Sequence, residues 1–177
     1  EVEADLELTS EELDEYDQAA ERFKEEIERY QHGVEILRSE NDVLRAFRLM
    51  NEVNERQHEF DGWRLFQLVF IVSNLSGVVN REYEKYATEY DDQADVLWFP
   101  TGGGKTEAYV GLILFNLLFD RLRGKSQGVT AWIRFPLRLL SRQQKTRFLT
   151  SLLHAEEIRQ STTERGLNGR GEPFSLG

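Results

Sequence analysis

Hydrophobic residues recur at steps of three and four positions through the first part of the chain, a spacing that predicts amphipathic helices. The first predicted helix covers residues 9–31, and Thr9 or Ser10 can cap its start. A second helix is predicted to begin near Ser39 or Asn41. The apolar stripe of the first helix contains Leu13, Tyr16, Ala20, Phe23, Ile27 and Tyr30.

A denser apolar run between residues 63 and 75 predicts a largely buried helix, which Ser76-Gly77 is expected to break. Residues 81–90 predict either a short helix or an ordered loop. We therefore divide the chain into an acidic helical segment, residues 1–60, and a second part, residues 61–177.

The hydrophobic pattern changes from residue 95 onward. A short apolar run at 95–99 predicts a strand, and a helix follows from Lys105 to about residue 123, where Gly124 ends it. A run of branched and aromatic residues at 129–135 predicts a second strand, and a further helix extends to about residue 160. This order predicts a right-handed βαβ unit, so the expected fold class is α/β with parallel strands and flanking helices.

Charge is distributed unevenly along the 177 residues, which carry a net charge of −10. Residues 1–60 contain 19 acidic and 7 basic side chains, and residues 61–120 contain 9 and 4. Residues 121–177 contain 4 acidic and 11 basic side chains. The last third is therefore a candidate phosphate-facing surface in an otherwise acidic chain.

The composition excludes several kinds of site. The chain has no cysteine, so disulfides and cysteine-ligated zinc are excluded, and a reducing, cytoplasmic setting is expected. No run approaches the roughly 20 apolar residues that a membrane span needs, so no membrane partner is expected. The chain begins at Glu1 and stops just after an apolar run, and we expect it to be a piece of a longer protein.

The most specific pattern is Phe99-Pro-Thr-Gly-Gly-Gly-Lys-Thr106, between the first predicted strand and the next helix. Consecutive glycines let backbone N–H groups approach phosphate oxygens, because no Cβ stands in the way. Lys105 can reach the outer phosphates of ATP, the Thr106 hydroxyl can ligate Mg²⁺, and both are the predicted catalytic residues. The predicted ATP-binding residues of this loop are Thr101, Gly102, Gly103, Gly104, Lys105, Thr106 and Glu107.

One position departs from the usual phosphate-loop pattern, because residue 99 is Phe where Gly or Ala is expected. The alternative interpretation is a glycine-rich hairpin turn. Such a turn requires neither Lys-Thr nor a strand before it and a helix after it, so phosphate binding is favoured.

A cationic stripe follows the second predicted strand. Arg138, Arg142 and Lys145 are separated by four and three residues, which places them on one face of a helix. Arg134 and Gln143 complete the predicted nucleic-acid-binding set. A stripe of this kind can contact successive backbone phosphates, and the simpler alternative is a solvated helix face.

A third segment, Arg64-Leu-Phe66-Gln67, lies upstream of the loop. The amide of Gln67 offers a donor and an acceptor that can pair with an adenine edge. The alternative is a glutamine on the exposed side of a mostly apolar helix.

Together these segments resemble the first RecA-like domain of superfamily 2 helicases and translocases. Residues 99–106 are similar to motif I, residues 136–143 to motif Ia, and residues 64–67 to the adenine-reading Q motif. The surrounding residues resemble the large helicases of prokaryotic phage-defence islands, of the DISARM and Druantia kinds, in which a Phe before Pro-Thr-Gly is ordinary. The resemblance covers roughly residues 35–177 and implies that Arg64, Phe66 and Gln67 contact ATP.

The resemblance implies an ATP-dependent DNA helicase or translocase with ATP and Mg²⁺ as cofactors and DNA as partner, with RNA as the alternative. The amides of Gly102–Gly104 would hold the β- and γ-phosphates, Lys105 would stabilise the transferred phosphoryl group, and Thr106 would hold Mg²⁺. Further implied partners are a second RecA-like lobe in the remainder of the longer chain and other proteins of the defence system.

Parts of such a motor are absent from the sequence. No Asp-Glu box follows motif I, and Glu156-Glu157 lies inside a predicted helix. We therefore expect an incomplete RecA-like domain, truncated before motif II, that binds nucleotide with little turnover. Two alternatives stay open: a different P-loop NTPase, and a nucleotide-dependent nucleic-acid-binding or scaffold module without turnover.

Overall fold

The computed structural model describes residues 9–57, 62–100, 102–134, 138–162, 167 and 171–177, and it leaves out the side chains of residues 138–141 and 143. These residues form six α-helices and one 3₁₀ helix, with no β-strand among them. In chain order they are α1 (Ser10–Ser39), α2 (Asn41–Arg56), α3 (Leu65–Ser73), α4 (Leu75–Val79), the 3₁₀ helix (Glu84–Tyr86), α5 (Lys105–Leu122) and α6 (Arg138–Ser161).

The first predicted helix is confirmed, and α1 extends beyond its apolar stripe. Thr9 caps α1 in a capping box, because the Glu12 amide donates to the Thr9 hydroxyl at 3.3 Å and the Thr9 amide donates to the Glu12 carboxylate at 2.8 Å. Four large apolar side chains between residues 13 and 27 are between 40% and 67% exposed: Leu13, Tyr16, Phe23 and Ile27. The last part of α1 packs against the rest of the protein, since Gly33 and Ile36 are buried there.

Helix α5 is central to the core and packs against α2, α3 and α6. Its buried apolar residues form one broad face: Ala108, Gly111, Leu114, Phe115, Leu118, Phe119 and Leu122. Across this face, α2 contributes residues with no solvent exposure: Val43, Ala46, Leu49, Met50 and Val53. The core therefore joins residues on both sides of position 60, and side chains outside the helices, such as Trp63 and Leu167, also belong to it.

The predicted α/β fold, an incomplete RecA-like domain with parallel strands, is wrong. Residues 95–99 and 129–134 are irregular, and no ladder of hydrogen bonds joins either run to another described segment. Their side chains face solvent, with Val96 and Trp98 84% and 88% exposed and Val129 and Trp132 75% and 88% exposed. A strand needs a partner for its backbone groups, and a lone pair of strands is marginal at best. The resemblance to a superfamily 2 helicase domain therefore does not extend to the fold.

The helices predicted around the glycine-rich loop are confirmed with adjusted bounds. Helix α5 begins at Lys105 and ends at Leu122, and Gly124 follows with φ of +90°. The helix predicted over residues 63–75 is divided at Asn74, and α4 continues through Gly77, where the sequence predicts a break. The segment 81–90 contains a short helix, the 3₁₀ turn.

One carboxylate orders the segment that leads from α4 toward the loop. Asp91 accepts hydrogen bonds from Ser76 Oγ at 2.9 Å, from Asn80 Nδ2 at 2.7 Å, and from the amide and hydroxyl of Thr88, each at 2.9 Å. Burial acts to raise the pKa of Asp91, but these hydrogen bonds outweigh it and leave the pKa below its usual value. Asp91 therefore has a structural role, because its two carboxylate oxygens accept four hydrogen bonds that hold this segment against α4.

The backbones of α1 and α3 touch at Gly33. A Cβ at this position would lie 2.0 Å from the Val72 carbonyl oxygen, which belongs to a backbone that cannot rotate away. We predict that Gly33→Ala lowers the free energy of unfolding by about 1–3 kcal/mol, although alanine is the better helix former. Urea denaturation followed by circular dichroism measures the change, with Gly62→Ala as control because a Cβ there meets no atom within 4 Å. Equal stability of Gly33→Ala and the unchanged chain would contradict this close packing.

Candidate functional site

The glycine-rich loop leads directly into the N-terminus of α5. Gly102 and Gly104 have φ of +79° and +89°, a region that favours glycine because it lacks a Cβ. Gly104 is the N-cap residue of α5, and no side chain in the described part of the chain caps this end. The first amides of α5 have no intrahelical acceptor, so this end of the helix is suited to an anion.

Two side chains at the start of α3 hold the loop in place. Arg64 Nη1 donates to the Gly103 carbonyl oxygen at 2.7 Å. Gln67 Nε2 donates to the Gly104 carbonyl oxygen, also at 2.7 Å. Because α3 engages both carbonyl groups, it fixes the orientation of two successive peptide units of the loop.

Gln67 is bonded at both ends of its amide. Its Oε1 accepts from the Arg64 amide at 2.8 Å, its Nε2 donates to Gly104, and the residue is only 4% exposed. Each end of the amide keeps a second donor or acceptor position, but the residue is too buried to offer it readily to an adenine edge. Contact between Gln67 and the base of ATP stays a prediction, and the contact present in the structure is support of the loop.

Phe99, which departs from the phosphate-loop pattern, has a packing role. Its ring stacks on Phe66, with centroids 3.9 Å apart and planes at 16°. The ring also covers Gly103, where a Cβ would lie 2.5 Å from Phe99 Cδ1 and 2.9 Å from the Pro100 carbonyl oxygen. The aromatic residue at position 99 therefore shapes the loop and explains why residue 103 lacks a side chain.

The two residues predicted to act on phosphate and Mg²⁺ have partners within the loop and the first turns of α5. Lys105 Nζ donates to the carbonyl oxygens of Phe99 and Pro100, the latter at 3.2 Å. The Thr106 hydroxyl accepts a hydrogen bond from the Tyr109 hydroxyl at 3.1 Å and keeps a lone pair for a metal ion. A single hydroxyl ligand fits Mg²⁺ that arrives with nucleotide phosphates and keeps its other oxygen ligands. Thr101, the other predicted loop residue, lies outside the described residues.

Glu107 borders the loop from the first turn of α5. Its side chain is 11% exposed and forms an ion pair with Arg147 of α6. Its Oε2 would lie 3.3 Å from a Cβ on Gly104, so the carboxylate is packed against the peptide that begins the helix. The sequence pattern indicates that Glu107 belongs to the loop, but it gives no sign of the pairing with Arg147.

The cations predicted to contact nucleic acid lie on and before α6. Arg142 and Lys145 are exposed on α6, and Arg134 is exposed in the segment before it. The side chains of Arg138 and Gln143 lie outside the described part of the molecule. Arg134 and Lys145 line one groove of about 510 Å³.

The same groove contains a residue that sequence reasoning missed. Trp132, 88% exposed, lines the groove together with Phe148, which is 5% exposed. An exposed indole beside two cations can stack on a base while the cations face phosphates. The sequence places Trp132 in a predicted strand, because an apolar run cannot distinguish a buried strand from an exposed irregular segment.

The acidic pair at residues 156 and 157 lies inside α6, as the sequence indicates. Glu156 accepts hydrogen bonds from Arg159 Nη2 at 2.6 Å and from the Phe174 amide at 3.3 Å. The pKa of Glu156 is lowered, first by the hydrogen bond from Arg159. This carboxylate joins α6 to the last described segment of the chain and does not face the glycine-rich loop.

The described residues contain neither a membrane-spanning helix nor a cluster of metal ligands. None of the helices there is both long enough and apolar enough to cross a membrane. No group of three His, Asp or Glu side chains in the same residues is arranged to hold a metal ion.

Fold and site define a helical protein with a glycine-rich turn at the start of its central helix. Among known proteins, DISARM protein DrmA of Bacillus paralicheniformis is 34% identical to the chain over 180 residues. The match covers 85% of the chain and 15% of that protein, so the chain spans about 15% of the relative's length. No protein-family model matches the chain, and no solved structure matches it.

Proposed function

We propose that the chain is the ATP-binding part of a larger, DNA-acting protein of anti-phage defence. The main support for ATP binding is the geometry of the loop. Glycines of positive φ precede the uncapped start of α5, and Lys105 and Thr106 lie in the first turn of that helix. The similarity to a DISARM protein supports the defence role and other proteins of that system as partners. The cytoplasm is the location we propose. Movement along DNA, as a helicase or translocase, is the activity we infer for the longer protein.

Binding of ATP requires Lys105 to exchange its partners. Its ammonium group now contacts two neutral carbonyl oxygens, those of Phe99 and Pro100. The ammonium is charged in both arrangements, but only the phosphate carries an opposite charge, so the exchange favours the phosphate. The Thr106 hydroxyl would hold Mg²⁺, which when bound neutralises part of the phosphate charge.

Substitution of Lys105 tests nucleotide binding directly. We predict that Lys105→Ala weakens ATP binding by about 10- to 100-fold, the range expected for loss of one hydrogen bond to a charged group. Fluorescence anisotropy of a labelled ATP analogue measures the affinity. Lys24→Ala is the matched control, because Lys24 is 64% exposed on α1. Unchanged affinity in Lys105→Ala would remove the basis for assigning ATP to this loop.

We further propose that these 177 residues bind ATP without efficient turnover. The carboxylates of Glu107 and Glu156 already form ion pairs with Arg147 and Arg159. An arginine supplied by another domain commonly contributes about 10³–10⁵ in rate to phosphoryl transfer, and we assign that role to the longer protein. The unchanged chain is therefore expected to release phosphate from ATP about as slowly as the Lys105→Ala variant does. Rapid turnover that requires Lys105 would contradict this proposal.

Nucleic-acid binding is proposed for the groove beside α6. Its support is the position of Arg134 and Lys145 on one groove with Trp132, and of exposed Arg142 on the same helix as Lys145. Cations that face backbone phosphates make binding dependent on salt and independent of base sequence. DNA is the proposed ligand, and RNA of the same length is the comparison.

The salt dependence of binding distinguishes direct phosphate contact from a general charge effect. We predict that Arg142→Ala with Lys145→Ala reduces the slope of log K against log salt on single-stranded DNA by about 1.4, which is about 0.7 for each phosphate that is no longer neutralised. Arg22→Ala with Lys24→Ala changes the net charge equally, on exposed positions of α1, and should leave the slope unchanged. Equal slopes for both double variants would show that the two cations of α6 contact no phosphate.

A further inference from the structure

The carboxylate of Glu107 is an electrostatic obstacle beside the proposed phosphate site. It is packed against the start of α5, where its Oε2 would lie 3.3 Å from a Cβ on Gly104. At 11% exposure, little water surrounds the side chain to screen its charge. Nucleotide phosphates carry several negative charges, so an uncompensated carboxylate at this position would repel them.

Arg147 supplies the compensating charge from a different helix. It extends from α6 and forms an ion pair with Glu107. The neighbouring residue fixes the register of α6 at this point, because Phe148 stacks on Tyr109 with centroids 6.4 Å apart and planes at 24°. Tyr109 in turn donates a hydrogen bond to Thr106. The guanidinium group is therefore held beside the loop by packing as well as by its charge.

We propose that Arg147 is a positioning residue of the nucleotide site, which neutralises Glu107 and so allows the loop to accept phosphates. This assignment separates Arg147 from Arg142 and Lys145, the exposed cations of the same helix. It rests on the proposed binding of ATP at the loop. It concerns the charge that Glu107 presents, and it requires no direct contact between Arg147 and the nucleotide.

If Arg147 acts by neutralising Glu107, the two single substitutions should change ATP affinity in opposite directions. A merely structural ion pair does not predict this difference. Arg147→Gln should weaken ATP binding by about 100- to 1,000-fold, the order expected for one uncompensated charge about 4 to 6 Å from a phosphate charge at an effective dielectric constant of about 20. Glu107→Gln should strengthen ATP binding, because the repelling charge is gone while Arg147 remains. Adding Glu107→Gln to Arg147→Gln should restore the affinity, and Arg147→Lys should retain most of it.

The experiment measures the affinity of the 177-residue chain and these variants for ATP and for AMP, with a thermal melt of each as the control for folding. Because AMP carries fewer phosphate charges, its affinity should change less than that of ATP. A structural ion pair would instead give weaker binding and a lower melting temperature for either single change, without rescue in the double variant. If Arg147→Gln fails to fold, Glu107→Gln carries the test, and weaker ATP binding by that variant overturns the inference.

Failure of the two proposals can be told apart. If the unchanged chain binds no ATP, the proposed function is wrong and the role of Arg147 falls with it. If the unchanged chain binds ATP in a Lys105-dependent manner but Arg147→Gln binds it equally well, the inference alone is overturned. Arg22→Gln, an exposed position on α1, controls for loss of one positive charge from an acidic chain.

Discussion

The fixed position of the N-terminus of α5 is the constraint on which the site depends. The broad apolar face of α5 is buried among α2, α3 and α6, so the helix cannot shift without exposing that face. Two of these helices also reach the loop with polar side chains. From α3, Arg64 and Gln67 hold the carbonyl groups of the loop, and from α6, Arg147 holds Glu107. Apolar packing thus places the helix end, and the polar contacts orient the peptides around it.

The parts of this fold that local chemistry determines can be predicted from sequence. The start of α1 follows from Thr9 and Glu12, whose capping box lies within four residues. The end of α5 follows from Gly124, whose positive φ suits a helix terminus. The two predicted strands are wrong because a strand depends on a partner elsewhere, and the apolar runs at 95–99 and 129–134 carry no information about that partner. Neither run pairs with another described segment, and Trp98 and Trp132 are each 88% exposed.

The same distinction separates the predictable and unpredictable parts of the site. Glycines of positive φ before Lys105 and Thr106 form a local pattern, and the structure has them at the start of a helix as expected. The sequence gives no sign of the role of Arg147, because spacing along one helix reveals which residues share a face but not what that face meets. Its partner Glu107 lies 40 residues earlier in the chain. Only the packing of α5 against α6 brings the two charges together.

Helix α6 connects the two proposed binding surfaces. Phe148 lines the groove that contains Trp132 and Lys145, and the same ring stacks on Tyr109, which bonds to Thr106. Arg147, one residue earlier, faces the loop through Glu107. A displacement of this part of α6 therefore changes contacts at both surfaces. Thermodynamic linkage then requires reciprocity between the two ligands. If bound nucleotide changes the affinity for nucleic acid, bound nucleic acid must change the affinity for nucleotide by the same factor. Phe148 and Tyr109 are side chains through which the contacts of α6 extend from one proposed surface to the other.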